Sequence, residues 1–208
     1  MNDHHFVVTL NVIEGHMVNW SSEGMDLENS IRPKGVRLRN WIVLGWHYPS
    51  GEPWYKWVSD RFPGIGPASE KAGRYVENIK RVSTRVSILG RDKDMAAILK
   101  NVYFEKHFRN YPHEFKDHGL LWNGTAHKYT WDGNEYYLIE KRAADDASLI
   151  TCTEGADACR IRGARVNDYL IAEGILIKKT DLENWRRYQE LVKSEVKKMF
   201  VSVKPKSK

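Results

Sequence analysis

The sequence has few cysteines, no long apolar run and no basic residue near its beginning. Two cysteines among 208 residues are too few for a disulfide-stabilised scaffold. No segment approaches the roughly 20 consecutive apolar residues that a membrane-spanning helix needs. The first residues also lack the basic and then apolar arrangement of a secretory signal. We therefore expect a cytoplasmic or otherwise intracellular protein that is neither secreted nor embedded in a membrane.

The composition is that of a folded globular chain with an excess of aromatic residues. Hydrophobic residues make up 41% and charged residues 29% of the sequence, which excludes a fully disordered chain. The length fits a single domain over residues 1–208. The eight Trp and ten Tyr residues are more than such a chain usually contains.

Positive charge is concentrated in residues 32–109. The whole chain has a net charge of +6, but residues 1–31 contain five acidic residues and no Lys or Arg. Residues 32–109 contain 16 basic and 7 acidic residues, together with four of the Trp residues. Cations meet phosphates and aromatic rings stack on unpaired bases, so this basic region indicates a nucleic acid, either DNA or RNA. Its candidate contact residues are Arg37, Arg39, Trp54, Trp57, Lys71 and Arg74.

Short patterns along the chain predict an α+β fold. Residues 5–13, 36–46 and 82–89 are rich in β-branched residues or alternate in polarity, which is typical of strands. Two aromatic arms around Asp132-Gly133-Asn134 predict a β-hairpin at 127–141. We expect a mixed or antiparallel sheet with several packed helices.

Helices are predicted mainly by apolar periodicity and by capping residues. Residues 68–81 and the segment after Asp92 have helical stripes, and residues near 164–173 are predicted to form a helix that ends at Gly174. A capping box, Thr180-x-x-Glu183, predicts an amphipathic C-terminal helix. The tail 203–208 is basic, and we expect it to be disordered.

A glycine-rich turn is the most specific local motif. Residues 62–67 read Phe-Pro-Gly-Ile-Gly-Pro and resemble the helix-hairpin-helix motif of DNA-repair proteins. That resemblance implies that backbone amides around Gly64 and Gly66 hold a phosphate at a helix start. Arg61-x-x-Gly64-x-Gly66 is also similar to the pyrophosphate-binding turn of the GNAT acyltransferases. An ordinary Gly/Pro turn that opens a helix explains the same residues.

Histidines and carboxylates are dense in residues 105–135 and predict a second kind of site. His113, Glu114, His118 and His127 are the candidate catalytic residues, since neutral imidazole and carboxylate are suited to acid–base chemistry. The order of Asp117-His118, Asn123 and His127 resembles the ββα-metal nucleases, and this resemblance implies a divalent metal ion as cofactor. Structural histidines in hydrogen bonds are the alternative.

Three arginines in 152–168 also qualify as anion ligands. Near the predicted helix start, Arg160, Arg162 and Arg165 could clamp a phosphate, or could pair with Asp145, Asp146 and Asp157. Two functions from different classes follow for the whole chain. The first is a nucleic-acid-binding protein that contacts the phosphate backbone, and the second is a small phosphodiester-directed hydrolase with its site in 105–135. A GNAT-like acyltransferase is the third hypothesis.

Overall fold

A computed structural model describes residues 6–12, 41–63, 81–88, 102–140, 146–147 and 149–205. The described residues contain eleven strands: β1 (Phe6–Leu10), β2 (Trp41–His47), β3 (Arg81–Ile88), β4 (Lys116–Leu121), β5 (Ala126–Trp131), β6 (Asn134–Ile139), β7 (Leu149–Cys152), β8 (Ala158–Ile161), β9 (Ala164–Arg165), β10 (Leu170–Lys178) and β11 (Phe200–Pro205). They also contain three α-helices: α1 (Trp54–Arg61), α2 (Val102–Asn110) and α3 (Trp185–Met199). Two 3-10 helices cover Pro112–Glu114 and Lys179–Asn184.

One large antiparallel sheet organises these elements. Its strand order is β2-β3-β10-β8-β7-β6-β5-β4, and β9 pairs with β10. Strands β4 to β8 are neighbours in chain order, so local hairpins build that half of the sheet. Strands β1 and β11 form a separate two-stranded antiparallel sheet. The prediction of an antiparallel sheet with a C-terminal helix is confirmed. The prediction of several packed helices overstated their number, because the described residues contain three α-helices.

The predicted hairpin is present as β5 and β6. Its turn consists of Asp132 and Gly133, with φ angles of 47° and 71°. Positive φ at both central residues defines a type I′ turn, whose twist matches that of the flanking strands. Trp131 and Asn134 therefore face each other in the ladder, and Asn134 begins β6 instead of belonging to the turn.

Helix α3 covers one face of the sheet, which we call the first face. The predicted stripe of α3 and the turn before it is buried as expected, and its residues are Leu182, Trp185, Tyr188, Val192, Val196 and Met199. They share a core with Val82, Val86, Ile161 and Ile175 of the sheet. Each such side chain contributes about 1.5–3 kcal/mol when it is removed from water. The capping box is not formed, because Lys179–Asn184 is a 3-10 helix and no side chain caps α3.

The opposite face, called the second face, is packed by two helices at its two ends. Near β2 and β3, Trp54, Trp57 and Val58 of α1 form a small buried cluster. Near β5 and β6, α2 contributes to an aromatic cluster around Phe104, Phe115 and Leu149. The centre of the second face, on β3, β10, β8 and β7, lies between α1 and α2. This arrangement positions the candidate site.

The predicted helix near 164–173 is wrong, because these residues form β9, a tight turn and the start of β10. The Asn167 side chain accepts the backbone N–H groups of Tyr169 and Leu170 at 2.9 and 3.0 Å. Such local hydrogen bonds compete with helix formation. Gly174 does not end a helix; it lies in a bulge of β10 with φ +66°.

The two cysteines are bonded to each other, although the sequence offered no basis for pairing them. Cys152 and Cys159 are direct partners in the β7–β8 ladder. Their Cα atoms lie 4.2 Å apart, the short spacing of a pair without mutual backbone hydrogen bonds. A separation of seven residues thus becomes direct contact once the hairpin forms.

The C-terminal tail is also more ordered than predicted. Residues 203–205 belong to β11 and pair with β1, while residues 206–208 lie outside the described residues. The physical reason is that β1 supplies hydrogen-bond partners that the sequence of the tail cannot reveal. None of the helices in the described residues is long and apolar enough to cross a bilayer.

Candidate nucleic-acid interface

Most of the predicted contact residues of the basic region cannot be placed. The residues that lie outside the described ranges are Arg37, Arg39, Gly64, Gly66, Lys71 and Arg74. The segment that leads to the glycine turn is described, and it forms the regular helix α1, followed by Phe62 at its C-cap. A helix before this turn is what the helix-hairpin-helix resemblance requires.

Trp54 and Trp57 are packing residues of α1. Their exposed fractions are 4% and 7%. The Trp57 ring stacks on His47 with centroids 4.1 Å apart, and the Arg61 guanidinium lies 4.7 Å from its centroid. Rings that are covered in this way offer no free face to a base. Their aromatic area stabilises α1 against the second face instead.

The structure separates His118 from His127. His118 Nε2 lies 2.9 Å from Thr130 Oγ1, and His127 Nε2 lies 2.6 Å from Asp117 Oδ1. Thr130 and His127 are three residues apart on β5, so their side chains point to opposite faces of the sheet. The two histidines therefore bond to groups on different faces of the sheet.

His113 and Glu114 occupy a third position, in the 3-10 helix that precedes β4. His113 is exposed, and Glu114 Oε2 lies 3.1 Å from His107 Nε2 of α2. The four predicted catalytic residues thus stand at three separate places. Among the described residues, no group of three or more His, Cys, Asp or Glu side chains is arranged to hold a metal ion.

The contact between His127 and Asp117 is a second imidazole–carboxylate pair, in addition to that of His107 and Glu114. The Gly119 backbone N–H, and then His127, hydrogen-bond the Asp117 carboxylate and hold its pKa below the usual range. The ring of Tyr129 stacks on His127 with centroids 4.6 Å apart. A carboxylate that orients an imidazole is the arrangement of a general base.

A polar cleft of about 390 Å³ lies where the β5–β6 turn meets the β7–β8 turn. Inside it, the Glu135 carboxylate accepts hydrogen bonds from Lys128, Tyr137 and Lys179. Burial raises the pKa of Glu135, but these three donors outweigh burial and lower the pKa to about 2. A carboxylate that is ionised and fully occupied by donors stabilises the fold and has no proton to transfer near neutral pH.

Arg160 and Arg162 extend together from the second face. Arg160 lies on β8 opposite Thr151 of β7 and Leu176 of β10. Ile161 between the two arginines points into the core of the first face, so the alternation of the strand places Arg160 and Arg162 on the same side. The sequence pattern Arg-Ile-Arg carried this signal, although its position near a helix start was wrong.

Arg162 is held in a partly dehydrated position. Its backbone N–H donates to the Leu149 carbonyl at 2.9 Å, so it stands beside a residue of the aromatic cluster. No described residue supplies a hydrogen-bond acceptor to its buried Nε. Burial, and then the neighbouring charge of Arg160, lower the pKa of Arg162. Buried unpaired donors are rare in proteins and favour an anion or water as partner.

Neither Arg160 nor Arg162 forms a salt bridge with a carboxylate in the part of the chain that the structure describes. The third arginine of the predicted clamp differs, because Arg165 pairs with Asp168. Asp146, a predicted alternative partner, instead accepts a hydrogen bond from Gln189 and pairs with Lys193. Two of the three predicted arginines thus remain available to a ligand.

Arg85 extends the cationic surface to β3, a residue that the sequence did not single out. It is exposed, and its guanidinium lies 4.7 Å from the centroid of the Trp41 ring. Its direct cross-strand neighbour is Glu173 of β10. The bulge at Gly174 inserts one extra residue and keeps Glu173 and Leu176 on the same face. We call the surface formed by Arg85, Arg160 and Arg162 the arginine strip.

No protein-family model, curated protein or solved structure matches this chain. The chemistry of the arginine strip, and not kinship to a known protein, therefore supports the functional proposal below.

Proposed function

We propose that this protein binds nucleic acid and that the arginine strip contacts the phosphate backbone. The observation that supports this most directly is Arg162, whose Nε is buried without an acceptor beside the unpaired Arg160. Two guanidinium groups near each other, with no described carboxylate paired to either, oppose folding unless an anion compensates them. Phosphate oxygens accept bidentate hydrogen bonds from guanidinium, which makes phosphate the best matched anion.

The dimensions and surroundings of the strip suit an extended polyanion. From β3 across β10 and β8 to β7, three strand spacings give a width of roughly 14 Å. Helix α1 bounds the strip on one side and the aromatic cluster of α2 on the other. The basic region 32–109 includes α1 and β3, and the helix-hairpin-helix resemblance at 62–67 implies a further phosphate contact in that region.

The test is a fluorescence-anisotropy titration of labelled DNA and RNA at several salt concentrations. We expect a log–log slope of about −3 to −6, which corresponds to about 4–7 phosphate contacts. Exchanging Arg160→Gln and Arg162→Gln together is expected to weaken binding about tenfold or more and to reduce the slope by about 2.

Arg165→Gln is the matched control, because Arg165 is a nearby arginine that already pairs with Asp168. It is expected to leave affinity within about twofold of the parent. Thermal melting of each variant excludes unfolding as the cause of weak binding. Absence of binding to any nucleic acid at low salt would refute the proposal, and so would equal losses in the double variant and in the control.

The pair His127–Asp117 favours a second function, a phosphodiester-directed hydrolase. An imidazole 2.6 Å from a carboxylate is oriented to take a proton from water or from a hydroxyl group. Cleavage of labelled DNA or RNA, with and without Mg²⁺ or Mn²⁺, is expected to fall about 10²-fold in His127→Ala. His113→Ala is the control, since His113 is exposed and lies in the 3-10 helix before β4, where it forms no part of the pair. The acyltransferase stays the third hypothesis; the GNAT resemblance implies a strand before the glycine turn, whereas the described residues before it form α1.

A further inference from the structure

Four polar side chains of the second face come together at one end of the arginine strip. Arg160, Thr151 and Tyr136 are successive cross-strand partners on β8, β7 and β6, so they form one row of the same face. Arg162 stands one step along, next to Leu149. Two guanidinium groups and two hydroxyl groups thus surround the position above Thr151. Each of them is a hydrogen-bond donor.

Electrostatics places Tyr136 within reach of this group. Burial raises the pKa of the Tyr136 hydroxyl, the charge of Arg162 lowers it, and the Asp132 carboxylate raises it. Tyr136 in turn acts on the pKa of Arg162. The two groups therefore feel each other's charge, and the row Tyr136–Thr151–Arg160 places Tyr136 on the face from which the arginines extend.

The aromatic cluster closes the strip beyond Tyr136. The Tyr136 ring stacks on Phe104 of α2 with centroids 4.9 Å apart. Phe104 and Phe115 are buried, and Trp131 packs against them. A polyanion that follows the strip from β3 toward β7 meets this apolar wall immediately after Arg162. Such a wall stops a continuous chain but does not obstruct the end of one.

The charge of the pocket also distinguishes an end from an internal phosphate. An internal phosphodiester carries one negative charge, whereas a phosphate monoester carries about −1.5 to −2 at pH 7 and three acceptor oxygens. Arg160 and Arg162 together present two positive charges without a described carboxylate partner. A dianion therefore compensates both, and a partly dehydrated site strengthens that preference.

We infer that the pocket formed by Arg160, Arg162, Thr151 and Tyr136 holds the terminal phosphate monoester of a nucleic-acid strand. The inference rests on the proposed nucleic-acid binding and adds the part of the ligand that this end of the strip recognises. Arg85, at the other side of the strip, contacts internal phosphates of the same strand.

The experiment compares one labelled single-stranded oligonucleotide in three forms: with a 5′-phosphate, with a 3′-phosphate and with neither. We expect one of the two phosphorylated forms to bind about tenfold more tightly than the unphosphorylated form at pH 7.5. The second ionisation of a phosphate monoester has a pKa of about 6. The preference is therefore expected to shrink to about threefold or less at pH 5.

Variants separate this pocket from the rest of the strip. Arg162→Gln is expected to remove the preference for the phosphorylated form, whereas Arg85→Gln weakens all three forms alike. Arg160→Gln, an exchange of an exposed residue, provides the same test if Arg162→Gln melts at a markedly lower temperature. Equal affinity for all three forms overturns the terminal-phosphate inference and leaves the binding proposal standing. Absence of binding by all three forms refutes the binding proposal itself.

Discussion

Exchanging Glu135→Gln is expected to destabilise the protein in a way that depends on pH. The Glu135 carboxylate accepts hydrogen bonds from Lys128 Nζ at 2.9 Å, Tyr137 Oη at 2.8 Å and Lys179 Nζ at 3.1 Å. Glutamine keeps the shape of the side chain but removes the charge that both lysines require. The exchange therefore measures the electrostatic part of this network.

The magnitude follows from the pKa of Glu135. Burial raises it, but the three donors bring it from the usual 4.5 to about 2. A difference of about 2.5 between the two pKa values corresponds to about 3.4 kcal/mol at most. The Lys179 side chain is 43% exposed, so solvent screens part of the attraction. We expect a loss of about 1–2 kcal/mol in the free energy of unfolding at pH 7.

The sign of the pH dependence is fixed by the lowered pKa. A carboxylate that is more acidic in the folded than in the unfolded protein contributes its full stabilisation above pH 4.5. This contribution is lost as the pH falls from 4.5 through about 2, because Glu135 is then protonated in both states. The difference between parent and variant is therefore expected to shrink over this window.

Urea denaturation followed by circular dichroism at pH 7, 5, 4 and 3 measures this difference. Glu140→Gln is the control, because Glu140 is an exposed carboxylate at the end of the same strand, and it is expected to change stability by less than about 0.5 kcal/mol. Two results would refute the reasoning. One is a Glu135→Gln variant as stable as the control at pH 7, and the other is a difference that stays constant down to pH 3.

One reduction and two exchanges also test the fold. Reduction of the Cys152–Cys159 bond is expected to lower the free energy of unfolding by about 2.5 kcal/mol, as loop closure over seven residues implies. Alkylation of the unreduced, unfolded protein is expected to label neither cysteine. Labelling of both cysteines would contradict the bond. Gly174→Ala is expected to cost about 1–2 kcal/mol, since φ is +66° and the new Cβ would lie 2.9 Å from the Arg160 Cδ; an unchanged melting temperature would exclude the bulge. Met199→Ala on α3 is expected to cost about 2–5 kcal/mol, because Met199 is 1% exposed in the core, and a loss below about 1 kcal/mol would place that side chain outside the core.

Local patterns were sufficient for two parts of the fold. Asp132-Gly133 between two alternating aromatic arms determines a type I′ hairpin, because both the turn geometry and the strand period are local properties. The apolar stripe from Leu182 to Met199 likewise predicted both the position of α3 and the face that it buries. Neither result depends on distant parts of the chain.

Pairing between distant segments decided what the local patterns could not. Gly174 favoured a helix near 164–173, but the Asn167 turn and the partners on β3 and β8 make the following segment a strand. Cys152 and Cys159 become neighbours only because β7 and β8 form a hairpin. These strands are stabilised by pairing with strands that lie outside a short stretch of sequence.

The candidate sites divide in the same way. The pattern Arg-Ile-Arg places Arg160 and Arg162 on one face only where the segment is a strand, and the sequence did not predict β8. Only the tertiary structure decided that this face lies opposite α3 and beside the aromatic cluster of α2, where Arg162 is partly dehydrated and lacks a carboxylate. The tertiary structure also placed the partners of His118 and His127 on opposite faces, because the ladder register puts Thr130 and Asp117 on different sides of the sheet. Residues that are close in sequence can lie on opposite faces of a sheet, because side chains alternate along a strand. Arg160 and Arg162, which are two residues apart, share a face.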